Sequence, residues 1–297
     1  MSRPVMAQSA PTSRTYVTNF PLTEWPISEG DSWVNGGLVG LDWSDISTTP
    51  GLAIGHQGLV PYSDATAILA GPWGTDQAVT GTVYSVNQNG GCNQEVELRL
   101  RTSISPHSIT GYEVNFKAST TTGAYAQIVR WNGPLGDFTR LLDKRGPQYG
   151  VKNGDVVSAC MIENVITVYK NGLRVGEVTD NTYATGSPGM GFNLKASGSG
   201  CADTNGDYGF TSVSATDDIG PFDIGDRVAV VESVEMVNAH ATPSLSAEIF
   251  GTQPARAPGR IRDGPITADG HTWWSIDYDT GADGWTIQDH LQATPGS

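Results

Sequence analysis

Within Gln94–Arg101 (QEVELRLR), Glu95, Glu97, Arg99 and Arg101 alternate with Val96, Leu98 and Leu100. In an extended chain this period of two puts four charged side chains on one face and three aliphatic ones on the other. Glu95 and Glu97 then stand about 6.7 Å apart at Cα, within the spacing of about 5–10 Å over which two carboxylates share the work of glycoside hydrolysis. Arg99 and Arg101 continue the face, and a nearby guanidinium lowers a carboxyl pKa by about 1–3 units. That is the wrong direction for a general acid near neutrality, which makes hydrolysis a weak reading. Binding without chemistry asks less. With Asn115, Gln127 and Trp131, the residues Glu95, Glu97, Arg99 and Arg101 form a set of amides, charges and an aromatic ring suited to a sugar. Trp25, Trp33, Trp43 and Trp73 are further candidates for ring stacking, although aromatic residues also fill sandwich cores. Equally, Glu97–Arg99 and Glu113–Arg130 read as cross-strand ion pairs, each contributing about 0.2–1 kcal/mol.

The elements that must position these residues are strands. Thirty-seven Gly and many Thr, Ser, Val and Tyr describe an all-β protein with frequent turns. Residues 20–50, with three Trp and no helical period, read as edge strands and long loops. AVTGTVYSV, QEVELRLR, GYEVNF, YAQIVRWNG, DVVSACMI, VITVY, LRVGEVTD and YGFTSVSA read as strands, with a tight turn at Lys170–Gly172. LGDFTRLLDKRGPQYG reads as a loop. Ten or more short strands with no interleaved helix predict a sandwich or jelly roll.

The order of the ELR, GYE, RWNG and NGDVVSA segments, the VYKNG hairpin, SPGMGF and the closing YGFTSVSATD resembles concanavalin-like and laminin-G-like jelly rolls, bacterial secreted members in particular. The resemblance implies a sandwich over 15–218, after a tail over 1–14, and an extracellular partner such as a polysaccharide or cell-wall glycan. EVELR also resembles part of the E-x-D-x-x-E strand of laminarinase-type hydrolases, without its third acid. ELR at 97–99, QI at 127–128 and YKNG at 169–172 resemble, in order, three motifs of jelly-roll alginate lyases. That likeness implies that Arg99 and Gln127 grip a uronate carboxylate, with Lys170 on the last of the three strands. Val129 stands where those lyases carry His, and their proton-transferring Tyr is absent, so Tyr112, Tyr125, Tyr169 or His107 would have to move the proton. Further on, DRVAVV, VNAHATPS, WWSIDY and GWTIQDHL resemble a bacterial Src-homology-3-like (SH3-like) barrel over 222–292, followed by a tail over 293–297. Thr252–His271 reads as a long insert in it.

Three classes of function therefore stand together: glycan binding, uronate elimination, and a structural or adhesive surface role. A formal charge of −14 argues against nucleic acid or an anionic membrane surface as partner, and no run of 18 apolar residues spans a bilayer. The opening MSRPVMAQSAPTSR resembles the end of an export signal, so a secreted or cell-surface location is expected. Cys92 and Cys201 lie in Gly-rich contexts and Cys160 in an apolar run. The expectation is a Cys92–Cys201 disulfide with Cys160 a buried thiol. No cofactor is required. Asp203, Asn205 and Asp207 in CADTNGDYG alternate oxygen ligands as a calcium loop does, without its closing Glu. Asp203, Asp207 and Asp217 are candidates for a structural Ca2+, and Asx-turns explain the same residues without metal.

Overall fold

Period-two alternation and Gly-containing turns carry more than half of the described residues into strands, and these assemble into three antiparallel sheets. The computed structural model describes residues 13–57, 60–88, 92–196, 201–220, 222 and 224–294. Most of the two tails expected at 1–14 and 293–297 lies outside the described residues, as do the side chains of Lys195, Ala196, Ala202 and Asp203. Among the described residues the only helical elements are 3-10 turns of three to six residues.

The first sheet runs Leu173–Thr179, Val165–Lys170, Val156–Ile162, Gln77–Ser85, Tyr208–Thr216, Leu52–Gly55 and Ile46–Thr49, with Thr15–Thr18 also on Tyr208–Thr216. The second runs Phe138–Arg145, Tyr125–Gly133, Ser108–Lys117, Cys92–Ser105, Ser187–Ala196, Ala65–Leu69 and Trp33–Asn35. Successive strands cross from one sheet to the other, as Ala65–Leu69, Gln77–Ser85 and Cys92–Ser105 do. This connectivity makes the pair a jelly-roll sandwich. Val96, Leu98, Leu100, Val114 and Phe116 from the second sheet meet Val79, Val83, Val157, Ala159 and Phe210 from the first, all shut from solvent. Full burial of each larger aliphatic or aromatic side chain contributes about 1.5–3 kcal/mol. With the aliphatic residues of Cys92–Ser105 committed inward, Glu95, Glu97 and Arg99 must point to the sheet's outer face.

Phe138–Arg145, expected within a loop, is the edge strand of the second sheet. Its charges and a register shift between Arg140 and Leu142 hide the alternation that would have marked it. The expected edge positions of the 20–50 region do hold: Trp33–Asn35 and Ile46–Thr49 each end a sheet.

The third sheet runs Ile249–Pro254, Met236–His240, Gly284–Ile287, His271–Tyr278, Pro258–Ala268, Arg227–Val230 and Leu291–Ala293. The segment expected as an insert supplies Pro258–Ala268, which pairs with both Arg227–Val230 and His271–Tyr278. Trp274, Ile276, Val228 and Val230 form this sheet's own core. A further apolar cluster joins it to the face of the first sheet that is turned away from the sandwich interior. There Ala78, Cys160 and Tyr169 meet Ile266, Trp273 and Trp285, and the Tyr169 hydroxyl donates to Asp263 Oδ1 at 2.6 Å. Cys92 and Cys201 form a disulfide, and Cys160 is a buried free thiol.

Candidate functional site

Strand register on the outer face of the second sheet aligns Glu97 with Asn115, Arg99 with Glu113, Asn115 with Gln127 and Asn193 with Glu95. Arg140, Asp143 and Arg145 on the edge strand lie beside Val129, Gln127 and Tyr125. The segment before Ala65–Leu69 brings Tyr62 and Asp64 over the same face. Of these residues all but Glu97, Arg99 and Asp143 line a cleft of about 240 Å³, with Asn93, Trp131 and Phe138 completing its walls.

Arg99 organises the floor. Its Nη1 donates to Glu113 Oε2 at 2.7 Å, and its Nη2 to Glu97 Oε2 at 2.5 Å and to Thr66 Oγ1 at 3.1 Å. Asp64 Oδ2 lies 3.9 Å from Nη2, and the side chains of Arg99, Glu97, Glu113 and Asp64 are at most 3% exposed. The guanidinium also sits 5.2 Å from the Trp43 ring. Glu113 accepts further bonds from Trp131 Nε1 at 2.5 Å and Asn115 Nδ2 at 2.6 Å. Gly191 faces this cluster across the register from Glu97. A Cβ there would run into the Glu97 carboxylate and stand 2.9 Å from Arg99 Nη2, so only glycine leaves room for the ion pair.

Burial sets the protonation of these groups. It raises the Asp64 and Glu97 carboxyls well above their ordinary range, and neighbouring Glu113 raises them further against the pull of Arg99. For Arg99 burial works against the charge, but Glu113, Glu97 and Asp64 outweigh it and leave the pKa raised. Glu95 accepts from the Tyr125 hydroxyl and from Asn193 Nδ2 at 2.8 Å. Burial pushes its carboxyl up to about 7 despite those two bonds, so for Glu95 and Glu97 desolvation reverses the lowering expected from the neighbouring arginines.

The polar groups are not all satisfied within the protein. Asp64 Oδ1, Glu97 Oε1, Asn115 Oδ1 and Asn193 Oδ1 are buried acceptors that take no hydrogen bond from it, and Arg99 Nε and Trp43 Nε1 are buried donors that give none. Such orphaned groups are costly unless something meets them. Chemically, the cleft offers carboxylate and amide oxygens to hydroxyl donors or to a hard cation, between aromatic walls.

The residues expected from sequence separate here. Glu95, Asn115, Gln127 and Trp131 line the cleft, and Tyr125 does too. Glu97 and Arg99 lie beneath them, fully buried. Arg101 leaves the face: its φ is +45° and the register shifts between Leu100 and Ser103. Its guanidinium instead meets the carbonyls of Thr75 and Glu163, both at 2.6 Å, and that of Tyr183 at 3.1 Å. The expected Glu113–Arg130 pair does not form, because the two lie on opposite faces; Arg130 pairs with Asp180 at 2.6 Å. Tyr112 turns into the sandwich, where its hydroxyl donates to Asp180 Oδ1 at 2.7 Å; burial, reinforced by that bond, pushes it up to about 12. Tyr125 and Tyr169 are also raised by burial, reinforced by Glu95 at the first and by Cys160 and Asp263 at the second. Lys170 bonds the carbonyls of Gln148 and Gly150. His107 is exposed and pairs with Asp42 at 2.8 Å.

Of the tryptophans, Trp25 is 73% exposed and stacks on His56, Trp33 and Trp43 are buried, and Arg14 lies over Trp73. The Asp203 side chain lies outside the described residues. Asp207 accepts from Asn87, and Asp217 from the backbone of Arg14 and Gly74. These two flank the strand Tyr208–Thr216 at opposite ends, roughly 30 Å apart at strand rise, so they cannot share an ion. Tyr62, Asp64, Asn93, Glu113, Phe138, Arg140, Arg145 and Asn193 are lining residues that sequence reasoning did not place in the site. Two of them carried a signal: Glu113 shares the face of Asn115 two residues along GYEVNF, and Asn193 lies in the strand that begins with SPG.

No family model matches the chain, and no curated relative matches it. Among solved structures it is similar to a carbohydrate-binding module from Bacillus subtilis at 12% identity and a TM-score of 0.42, over 64% of this chain and 94% of that one. It is also similar to the carbohydrate recognition domain of Emp46p in potassium-bound form, at 10% identity and a TM-score of 0.44, over 67% and 95%. A third is an endo-β-galactosidase from Clostridium perfringens that releases GlcNAcα1-4Gal, at 9% identity and a TM-score of 0.45, over 95% and 84%. Similarity at this level carries neither fold nor function to this chain.

Proposed function

We propose that the chain is a glycan-binding protein that takes a segment of polysaccharide into the cleft on the outer face of the second sheet. The observation that carries this reading is the make-up of the cleft. The buried Oδ1 of Asn193 takes no hydrogen bond from the protein and stands ready for a hydroxyl donor, and Gln127 with the rings of Tyr62, Trp131 and Phe138 lines the same space. Sugars present hydroxyls at their edges and C–H groups on their faces, which suits such a lining. The disulfide supports an oxidising, secreted or cell-surface setting. The chain then comprises a concanavalin-like unit over 15–218 and an SH3-like unit over 222–292 that tethers or assists it.

Elimination is disfavoured by the same geometry. Every side of the Arg99 head is engaged within the protein or closed to solvent. Tyr112, Tyr125 and Tyr169 have raised pKa values, which makes each a poor base.

The test is affinity electrophoresis and calorimetry with a panel of neutral and uronate polysaccharides, followed together with absorbance from unsaturated sugars and with reducing ends. Retention by one polymer without product, weakened at least tenfold in Gln127→Ala, is the expected result. Unsaturated product would replace binding with elimination, and a blank in every channel would leave a structural role.

A further inference from the structure

We propose that the Asp64–Glu97–Glu113 cluster beneath the cleft is a calcium site, with Asn115 as a fourth ligand. Each of the three carboxylates offers an oxygen, and these oxygens all lie within 4.8 Å of one another. Oxygens about 2.4 Å from a shared calcium lie no farther apart than this, and the flexible coordination of calcium accepts carboxylate and amide oxygens together. All ligands are oxygen, the preference of a hard cation.

An observation independent of the carboxylate spacing points to an occupant. Asn115 is 4% exposed, and its Nδ2 donates to Glu113 Oε1 at 2.6 Å, which holds the carboxamide against the cluster. Its Oδ1 takes no hydrogen bond from the protein, and neither does Glu97 Oε1 or Asp64 Oδ1. Three of the acceptors orphaned by folding thus belong to one small group of side chains. Asp64, Glu113 and Asn115 also line the cleft, which gives the ion a way in.

The site goes beyond glycan recognition and is tested without a glycan. The full chain is stripped with EDTA, and Ca2+ is titrated by calorimetry while the thermal midpoint is followed. One equivalent is expected to bind and raise the midpoint. The near-isosteric Asp64→Asn and Glu97→Gln variants, checked for folding by circular dichroism, are each expected to weaken binding at least tenfold. Tb3+ supplies a second measurement on the unmutated protein. Trp131, bonded to Glu113, should sensitise its luminescence, and Ca2+ should displace it. No binding by the stripped protein at millimolar Ca2+, or binding of equal strength in both variants, overturns the proposal.

Discussion

Arg99 Nη1 donates to Glu113 Oε2 at 2.7 Å across two neighbouring strands, and both side chains are closed to solvent. Charged residues expected on a wet face thus form the buried base of a cleft, and the stability of that base depends on the pair. Replacing Arg99 by Met should strand Glu113 and Glu97 without a counter-charge and lower stability by about 3–5 kcal/mol. Urea denaturation checks this. A loss below about 1 kcal/mol would mean that the carboxylates are neutral without Arg99.

The disulfide between Cys92 and Cys201 closes a loop with a sequence separation of 109 residues. A loop of this length restricts the unfolded chain strongly, so the Cys92→Ser, Cys201→Ser double variant should be less stable by about 2–5 kcal/mol. Cys160→Ser, which touches no disulfide, is the control for thiol reactivity. A double variant that melts with the unmutated protein would rule out the contribution.

Tyr169 on the first sheet and Asp263 on the third are joined at 2.6 Å within an apolar contact. Tyr169→Phe leaves the ring in place and removes the donor, with an expected loss of about 1–3 kcal/mol. If the two units are coupled through this contact, tryptophan fluorescence and far-ultraviolet circular dichroism should separate into two transitions in the variant. Coincident transitions at an unchanged midpoint would show that the contact does not couple them.

His56 lies against Trp25 with ring centroids 4.7 Å apart, and its Nε2 is 2.6 Å from Ser47 Oγ. Partial desolvation holds its pKa below the ordinary value of 6.5. The folded state therefore binds this proton less readily than the unfolded chain. The associated stability is full above about pH 6.5 and is lost as pH falls through the lowered folded value. His56→Gln should flatten the dependence of the urea midpoint over that window, and parallel profiles for the two proteins would count against the shift.

Sequence alone determined the strand class, because alternation of Val96, Leu98 and Leu100 with Glu95, Glu97 and Arg99 leaves one arrangement that buries the aliphatic side. Gln127 and Trp131 on YAQIVRWNG, and Asn115 on GYEVNF, were legible in the same way. Period two settles which side a residue faces; it carries no information about what covers that side. Asp64 and Tyr62 reach the cleft from a segment about thirty residues earlier, and Asn193 from about a hundred later, through strand pairing that no local pattern encodes. The bulge that turns Arg101 away, and the edge strand that brings Arg140 and Arg145, break the alternation on which the reading relied. Tertiary structure therefore decided that Arg99 is an internal counter-ion and not a surface ligand: long-range packing, and not residue type, removed it from water.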